Sequence, residues 1–316
     1  MARHFTVGRL LDTVKAMGNA VPATEIIAEQ TAEHNTAETV PTVTPFMKWA
    51  GGKRRLAREL LAHIAQLPAS YGTYFEPMVG AGALFFALRP KAAELSDINP
   101  EIVNVFNVLR DQPGALVAYL RYHHQQKHSR KHYYRVRDAD RDSGFWTWSP
   151  LERAARLLYL NKTCFNGLYR VNSRGEFNVP MGRYTNPRIV DEEQLYAAAH
   201  MLQGVPIAER SFESVLERAQ KGDLVYFDPP YFPLNKTSSF TTYSSSGFEL
   251  TDHVRLRDVC SELTKRGVYV MVSNSAADVV RELYADFSIH PVLAARAINS
   301  KASKRGKIEE LIIRNY

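Results

Sequence analysis

Residues Leu224-Val225-Tyr226-Phe227 form a short apolar run that stops at Asp228-Pro229-Pro230-Tyr231. Its length and β-branching describe a buried strand. Pro229 and Pro230 lack amide donors and restrict the residue before each of them, so no sheet continues past Asp228. A carboxylate stranded at the carboxyl end of a buried strand is where open α/β sheets place ligands. The turn offers a carboxylate acceptor, a carbonyl acceptor held outward and the flat face of Tyr231. That set suits a planar base carrying an exocyclic amine. A proline-stiffened turn is the plain structural alternative for these four residues alone.

The rest of the chain alternates in the same style. Residues 74–78, 93–96, 268–272 and 308–313 read as strands. Residues 53–67, 83–88, 100–110, 113–128, 149–160 and 251–265 read as helices, with Thr251 as an N-cap. Residues 162–187 are rich in Gly, Asn and Pro and read as loops with a hairpin. Strand and helix alternate on both sides of this stretch, which predicts an α/β fold with a doubly wound sheet and an inserted module. Residues 1–45 stand apart as an extension. A short amphipathic helix at residues 1–17 is followed there by Ala- and Thr-rich sequence.

Charge sharpens the division. Residues 121–190 hold 14 Lys/Arg against 5 Asp/Glu, an excess of +9, while the chain as a whole carries +7. The remainder is therefore slightly acidic, and the positive excess sits in one contiguous block. Such a block fits a polyanion-binding region as well as it fits a solvated basic surface. There are two cysteines, Cys164 and Cys260. They can form neither a disulfide framework nor a four-thiolate metal site, and a reducing cytoplasm is the simplest compartment. No apolar run approaches the 18 residues of a membrane span, and no secretory signal opens the chain.

Two further segments carry chemistry. Phe75-Glu76-Pro77-Met78-Val79-Gly80-Ala81-Gly82 reads as strand, Gly-x-Gly turn and helix, a place where a ligand can approach the backbone. Asp97 ends the next strand, where an acid can bind ribose hydroxyls; a tight turn with a capping Asp describes the same residues. In Pro45-Phe46-Met47-Lys48-Trp49-Ala50-Gly51-Gly52-Lys53, an aromatic, two glycines and a lysine precede a helix. Lys53 can there meet a carboxylate or phosphate. The spacing of a nucleotide-binding P-loop is absent, and on these residues alone a structural loop fits better.

These motifs, in this order, resemble the Dam-type DNA adenine-N6 methyltransferases, the D12 class in its alpha arrangement of cofactor segment, recognition insert and catalytic motif. The resemblance rests on Lys48–Lys53, Glu76–Gly82 and Ser96-Asp97-Ile98-Asn99. It continues through Asn161–Asn172, Gly175-Glu176-Phe177-Asn178-Val179-Pro180 and Asp228–Tyr231, and covers residues 45–316.

The resemblance implies a Rossmann-like S-adenosylmethionine-dependent methyltransferase sheet with an inserted, mainly helical plus β-hairpin recognition domain. Residues 46–112 and 191–316 would be catalytic, and residues 113–190 would read DNA. It implies S-adenosylmethionine as cofactor, S-adenosylhomocysteine as product, and no metal. Trp49, Lys53, Met78, Gly80, Gly82, Asp97 and Asp228 are the cofactor-binding positions, Met78 standing where close relatives often carry Phe. Asp228, Pro229, Pro230 and Tyr231 are the catalytic ones. The target base is flipped out of double-stranded DNA, and the transfer requires no strongly shifted pKa.

By the same resemblance, Phe165, Asn166, Leu168, Arg170 and Asn172 belong to a hairpin that reads a GATC-like site. Arg170 would meet guanine and Leu168 a thymine methyl. Phe165 would wedge into the stack, and Arg174, Arg183 and Arg188 would hold phosphates. Cytosine-N4 methylation, an RNA base, or a noncatalytic DNA-binding relative are the alternatives. No membrane contact or obligatory protein partner is implied. A monomer or weak dimer in a bacterial cytoplasm, nucleoid-associated or phage-encoded, is the expectation.

Three features remain outside that scheme. His124, His128 and His132 are four apart and would form a solvated or phosphate-facing helix face rather than a metal site. Trp146 and Trp148 would pack in the core. Residues 236–248, rich in Ser and Thr, would form a loop or a mobile flap.

Overall fold

The computed structural model describes residues 43–49, 51, 53, 56–126, 128–234, 247–295 and 307–316. The extension at residues 1–42 and most of the Ser/Thr-rich segment lie outside the described residues.

Seven strands form one sheet: β1 (Tyr74–Glu76), β2 (Ala93–Asp97), β3 (Ile207–Glu209), β4 (Leu224–Phe227), β5 (Tyr269–Ser275), β6 (Ser288–Ala295) and β7 (Lys307–Arg314). Their order is β3-β2-β1-β4-β5-β7-β6. The first five run parallel, and β7 lies antiparallel between β5 and β6. The chain moves outward from β1 to β3 and then restarts beside β1 with β4. The topological switch therefore falls between β1 and β4, where Tyr74 pairs with Leu224, and this is where such sheets open a crevice.

Alternation along the strands builds two cores. Leu224, Tyr226, Met271 and Ile312 face one layer. Val225, Phe227, Val270, Val272, Leu311 and Ile313 face the other. All four residues of β4 are buried, as expected of a strand covered on both faces.

The helices are α1 (Ala57–Ile64), α2 (Ala83–Leu88), α3 (Pro100–Asp111), α4 (Pro113–Gln125), α5 (Arg130–Arg137), α6 (Pro150–Thr163), α7 (Glu192–Met201), α8 (Leu250–Lys265) and α9 (Asp278–Leu283). Their starts follow local chemistry. Asn99 accepts the Glu101 amide ahead of Pro100, and Ser149 and Glu152 form a capping box around Pro150. In α8 the cap is Glu249, boxed with Asp252, not Thr251. Among the described residues no helix is long and apolar enough to cross a membrane.

The insert packs onto the rest of the chain. Leu116 and Leu120 of α4 and Leu157 and Leu158 of α6 belong to the same core as Leu95 and Phe106. Val43 joins that core, and Gln194 donates to the Thr44 carbonyl. The packed body thus begins before residue 46.

The histidine reading holds for His124, which is exposed, and fails for His132. The helix ends at Gln125 and His128 takes a left-handed φ of 48°. A new helix then turns His132 inward, where its Nε2 lies 2.9 Å from Nδ1 of His123. Both imidazoles are buried, and burial pushes their pKa values down to about 4 and about 3. They are neutral core histidines, not a solvated face. Among the described residues no cluster of His, Cys, Asp or Glu is arranged to hold a metal. Trp146 departs from its expectation too: it is 70% exposed, with its ring against Phe145 and the Arg153 guanidinium.

Candidate active site

The carboxyl ends of β1, β2, β4 and β5 meet at one edge. Asp228 follows β4 directly. Its Oδ1 receives the Lys53 ammonium at 2.6 Å and the Ser273 hydroxyl at 2.9 Å. Ser273, two residues before the end of β5, shares a 2.8 Å hydrogen bond with the Tyr226 hydroxyl. Burial raises the Asp228 pKa, and Lys53 and Ser273 pull against that rise.

Lys53 is itself only 6% exposed. Its ammonium donates to the Gly51 carbonyl at 2.6 Å and lies 4.3 Å from the Tyr231 ring centroid. Pro229 is buried behind the turn. Beyond Tyr231, the Phe232 amide donates to Asn274 Oδ1 at 3.1 Å, and the Ser275 hydroxyl donates to the Phe232 carbonyl at 2.6 Å. The acceptor turn is thus pinned from β5.

The glycine loop lies beside it. Gly80 adopts a φ of +50°, and a side chain there would meet the Trp49 ring at 2.9 Å. Only glycine lets that indole lie on the loop. The Gly80 amide donates to Asp97 Oδ2 at 3.0 Å, and the Asn99 amide to Oδ1 at 2.9 Å. Burial pushes the Asp97 carboxyl up to about 6 despite those two donors. Gly82, with a φ of +67°, caps α2 in the left-handed region. Glu76 accepts the Tyr74 hydroxyl at 2.7 Å and the Phe85 amide at 3.1 Å. Burial raises it to about 8, with the Asp228 charge adding to the rise. Burial is the leading cause of both shifts.

A cleft of about 1410 Å³ joins these groups. Trp49, Lys53, Met78, Gly80, Asp97, Asp228, Pro229, Pro230 and Tyr231 all line it. The insert closes it with Phe145, Trp146, Tyr169 and Arg174. Gly82 stands just behind the wall, as the cap of α2.

Arg174 is on the cleft wall, whereas Phe165, Asn166, Leu168, Arg170, Asn172, Arg183 and Arg188 do not line it. A bridge between Cys164 and Met181 and another between Val171 and Phe177 fold residues 164–181 back on themselves. Phe165 and Asn166 are exposed at its start, Asn166 with a φ of 55°. Leu168 is half-buried and packs against the core. Arg170 is exposed, with its Nε donating to Asn178 Oδ1 at 2.7 Å. Arg174, Arg183 and Arg188 are exposed, Arg174 3.2 Å from Glu176 and Arg188 2.9 Å from Asp191. Asn172 differs: its oxygen accepts the Arg174 and Glu176 amides, and its amide donates to Glu176 Oε2. Its side chain is committed to shaping the turn.

Six residues that shape the site carry no assigned role in the sequence. Ser273, Asn274 and Ser275 end an apolar strand with a polar run, the same signal that marked Asp228. Glu310, inside a strand-like stretch, accepts the Tyr231 hydroxyl at 2.8 Å. Asn161, quoted only as part of a motif, ties the Lys48 amide and carbonyl to the Gly167 carbonyl. Ile98, next to Asp97, lies 70% exposed on the cleft.

Comparison with known proteins identifies the family. The family model for D12 class N6 adenine-specific DNA methyltransferases matches residues 49–298. A type II methyltransferase, M1.LlaDCHI of Lactococcus lactis subsp. cremoris, is 47% identical over 86% of this chain and 95% of its own. The type II methyltransferase M.MjaIII of Methanocaldococcus jannaschii is 41% identical over 87% and 99%. The DNA adenine methylase of Escherichia coli K12 is 34% identical over 84% and 93%. The sheet is accordingly the Rossmann-like methyltransferase sheet that the motifs implied, and the enzyme is an adenine-specific DNA methyltransferase. Matched through most of its length, and by relatives that it covers almost whole, the chain belongs to the D12 class of N6 adenine-specific DNA methyltransferases.

Proposed function

We propose that the enzyme moves a methyl group from S-adenosylmethionine to N6 of an adenine flipped out of a GATC-like duplex site. The observation that carries this reading is the shared cleft: Asp228 and Tyr231 line the same cavity as Trp49 and Asp97. One cavity therefore offers both an amine acceptor and a nucleoside site.

The residues present fit the cofactor. Gly80 keeps the loop free of side chain under Trp49. Asp97 offers its carboxylate to ribose hydroxyls, Ile98 and Met78 offer apolar contact to a base, and Lys53 and Glu76 face the polar end. When bound, S-adenosylmethionine supplies an electrophilic methyl carbon on sulfur.

The acceptor side is the work of the chain. The Asp228 carboxylate and the Pro229 carbonyl accept the two N–H bonds of the adenine amine. That draws its lone pair out of conjugation and aims it along one line. Tyr231 stacks the ring, and Lys53 with Ser273 holds the carboxylate oriented. The proton leaves the amine after transfer. Residues 113–190 serve as the recognition region. Arg170 reads guanine and Leu168 a thymine methyl, while Phe165 fills the gap left by flipping. Arg174, Arg183 and Arg188 meet phosphates. Asn172 supports the turn between them. The enzyme acts as a monomer or weak dimer.

The test is methyl transfer to GATC and scrambled duplexes, with the modified nucleoside identified by mass. N6-methyladenine in the GATC duplex alone supports the reading. N4-methylcytosine, or equal transfer to scrambled DNA, contradicts it.

A further inference from the structure

A stacking ring positions a base only if its own plane is fixed, and two side-chain torsions would otherwise leave it free. The Tyr231 hydroxyl is anchored. It donates to Glu310 Oε2 at 2.8 Å, from a strand 79 residues further along the chain.

The topology explains how Glu310 arrives there. Strands β1 to β5 end at the catalytic edge, whereas antiparallel β7 begins at it. Its early residues therefore reach the site. In register, Glu310 pairs with Ser275 and Leu311 with Asn274. Ser275 and Asn274 hold the carbonyl and amide of Phe232, the residue after Tyr231. Neighbouring rungs of one ladder thus fix consecutive residues of the acceptor turn. Alternation sends Leu311 and Ile313 into one core and Ile312 into the other, so Glu310 shares the face of Ile312, Tyr226 and Met271. Burial and the nearby Asp228 and Glu310 charges keep the Tyr231 phenol far above its ordinary pKa. It stays a hydrogen-bond donor across the working range of pH.

We propose that Glu310 is a positioning residue for methyl transfer, holding the Tyr231 ring by its hydroxyl so that the stacked base meets Asp228 in line. Glu310 acts through Tyr231. The proposal rests on the stacking role assigned to Tyr231 above.

The test uses the full chain as wild type, Glu310→Leu, Glu310→Gln, Tyr231→Phe, Tyr231→Ala and the Glu310→Leu/Tyr231→Phe double variant. Single-turnover transfer to a GATC duplex is measured beside S-adenosylhomocysteine affinity and thermal unfolding. Glu310→Leu should slow transfer about ten- to a hundredfold, the cost of a misplaced reacting group, with product affinity unchanged. Glu310→Gln, whose amide oxygen still accepts, should recover most of the rate. The double variant should be no slower than Tyr231→Phe, since both changes remove the same bond. Wild-type rates in Glu310→Leu, effects that multiply in the double variant, or product affinity falling in step with rate would each overturn the role of Glu310. Should Glu310→Leu fail to fold, Glu310→Ala replaces it, alone and combined with Tyr231→Phe, and the same criterion decides. An inactive Tyr231→Ala beside a fully active Glu310→Leu removes Glu310 alone; a fully active Tyr231→Ala removes the stacking role itself.

Discussion

The Lys53 ammonium lies 2.6 Å from Asp228 Oδ1 and 4.3 Å from the centre of the Tyr231 ring. One cation, delivered by the segment before α1, thus touches both halves of the acceptor turn after β4. Its charge opposes the rise that burial imposes on the Asp228 pKa.

Removing that cation should show in the pH profile. In Lys53→Met the Asp228 pKa rises further, because burial remains and its opposing charge is gone. The acid limb of the transfer rate then moves to higher pH, and the maximum falls by about 10²-fold. Single-turnover rates from pH 5 to 9 check this. An unmoved acid limb would detach Lys53 from Asp228.

Asp97 carries a linkage of determinate sign. Its folded pKa of about 6 lies above the ordinary 3.8. Between those values the folded state holds the extra proton, so its contribution to stability falls as pH rises and levels off above about 6. The stability of Asp97→Asn relative to wild type should therefore grow across that window and then flatten. Cofactor affinity should run the other way in wild type, rising with pH as the carboxylate ionises, and should be weak and flat in the variant. Denaturation and calorimetry at matched pH decide; a constant stability difference would contradict the buried-acid account.

Gly80→Ala sets a methyl group against Trp49 and forces a left-handed φ on a residue with a side chain. It should cost about 1–3 kcal/mol of stability and weaken cofactor binding. Thermal unfolding with and without S-adenosylhomocysteine reads both. An unchanged midpoint and an unchanged ligand-induced rise would mean that the loop has room to spare.

The arginines of the insert should separate by role. Arg170→Ala should lose about 1–3 kcal/mol of discrimination at one base pair, whereas Arg174→Ala should weaken all sequences alike and lower the salt slope by about 0.9. Binding titrations on matched and mismatched duplexes at several salt concentrations distinguish the two. Equal behaviour of the two variants would remove Arg170 from the reading role.

The sequence revealed features where one local rule decided them. Strand β4 is four buried residues stopped by two prolines, and the glycine loop is a strand followed by a turn that only glycine permits. The elements that went unread lack such marks. Strand β3 is only three residues long, and β6 is an edge strand broken in pattern by Pro291. Helix α5 begins after a left-handed His128, a change of direction that no spacing of histidines announces. Glu310 was hidden for a topological reason: its place in the site depends on β7 running against its neighbours, which a strand pattern does not disclose. Trp146 misled because a tryptophan is usually packed, and this one stands at the mouth of the cleft.

The most direct measurement is transfer of labelled methyl from S-adenosylmethionine to a GATC duplex by Asp228→Ala, run beside its DNA affinity. Transfer lost while the duplex is still bound is the result expected of a carboxylate that grips the adenine amine. Transfer near the wild-type rate would show that the amine is held by something else.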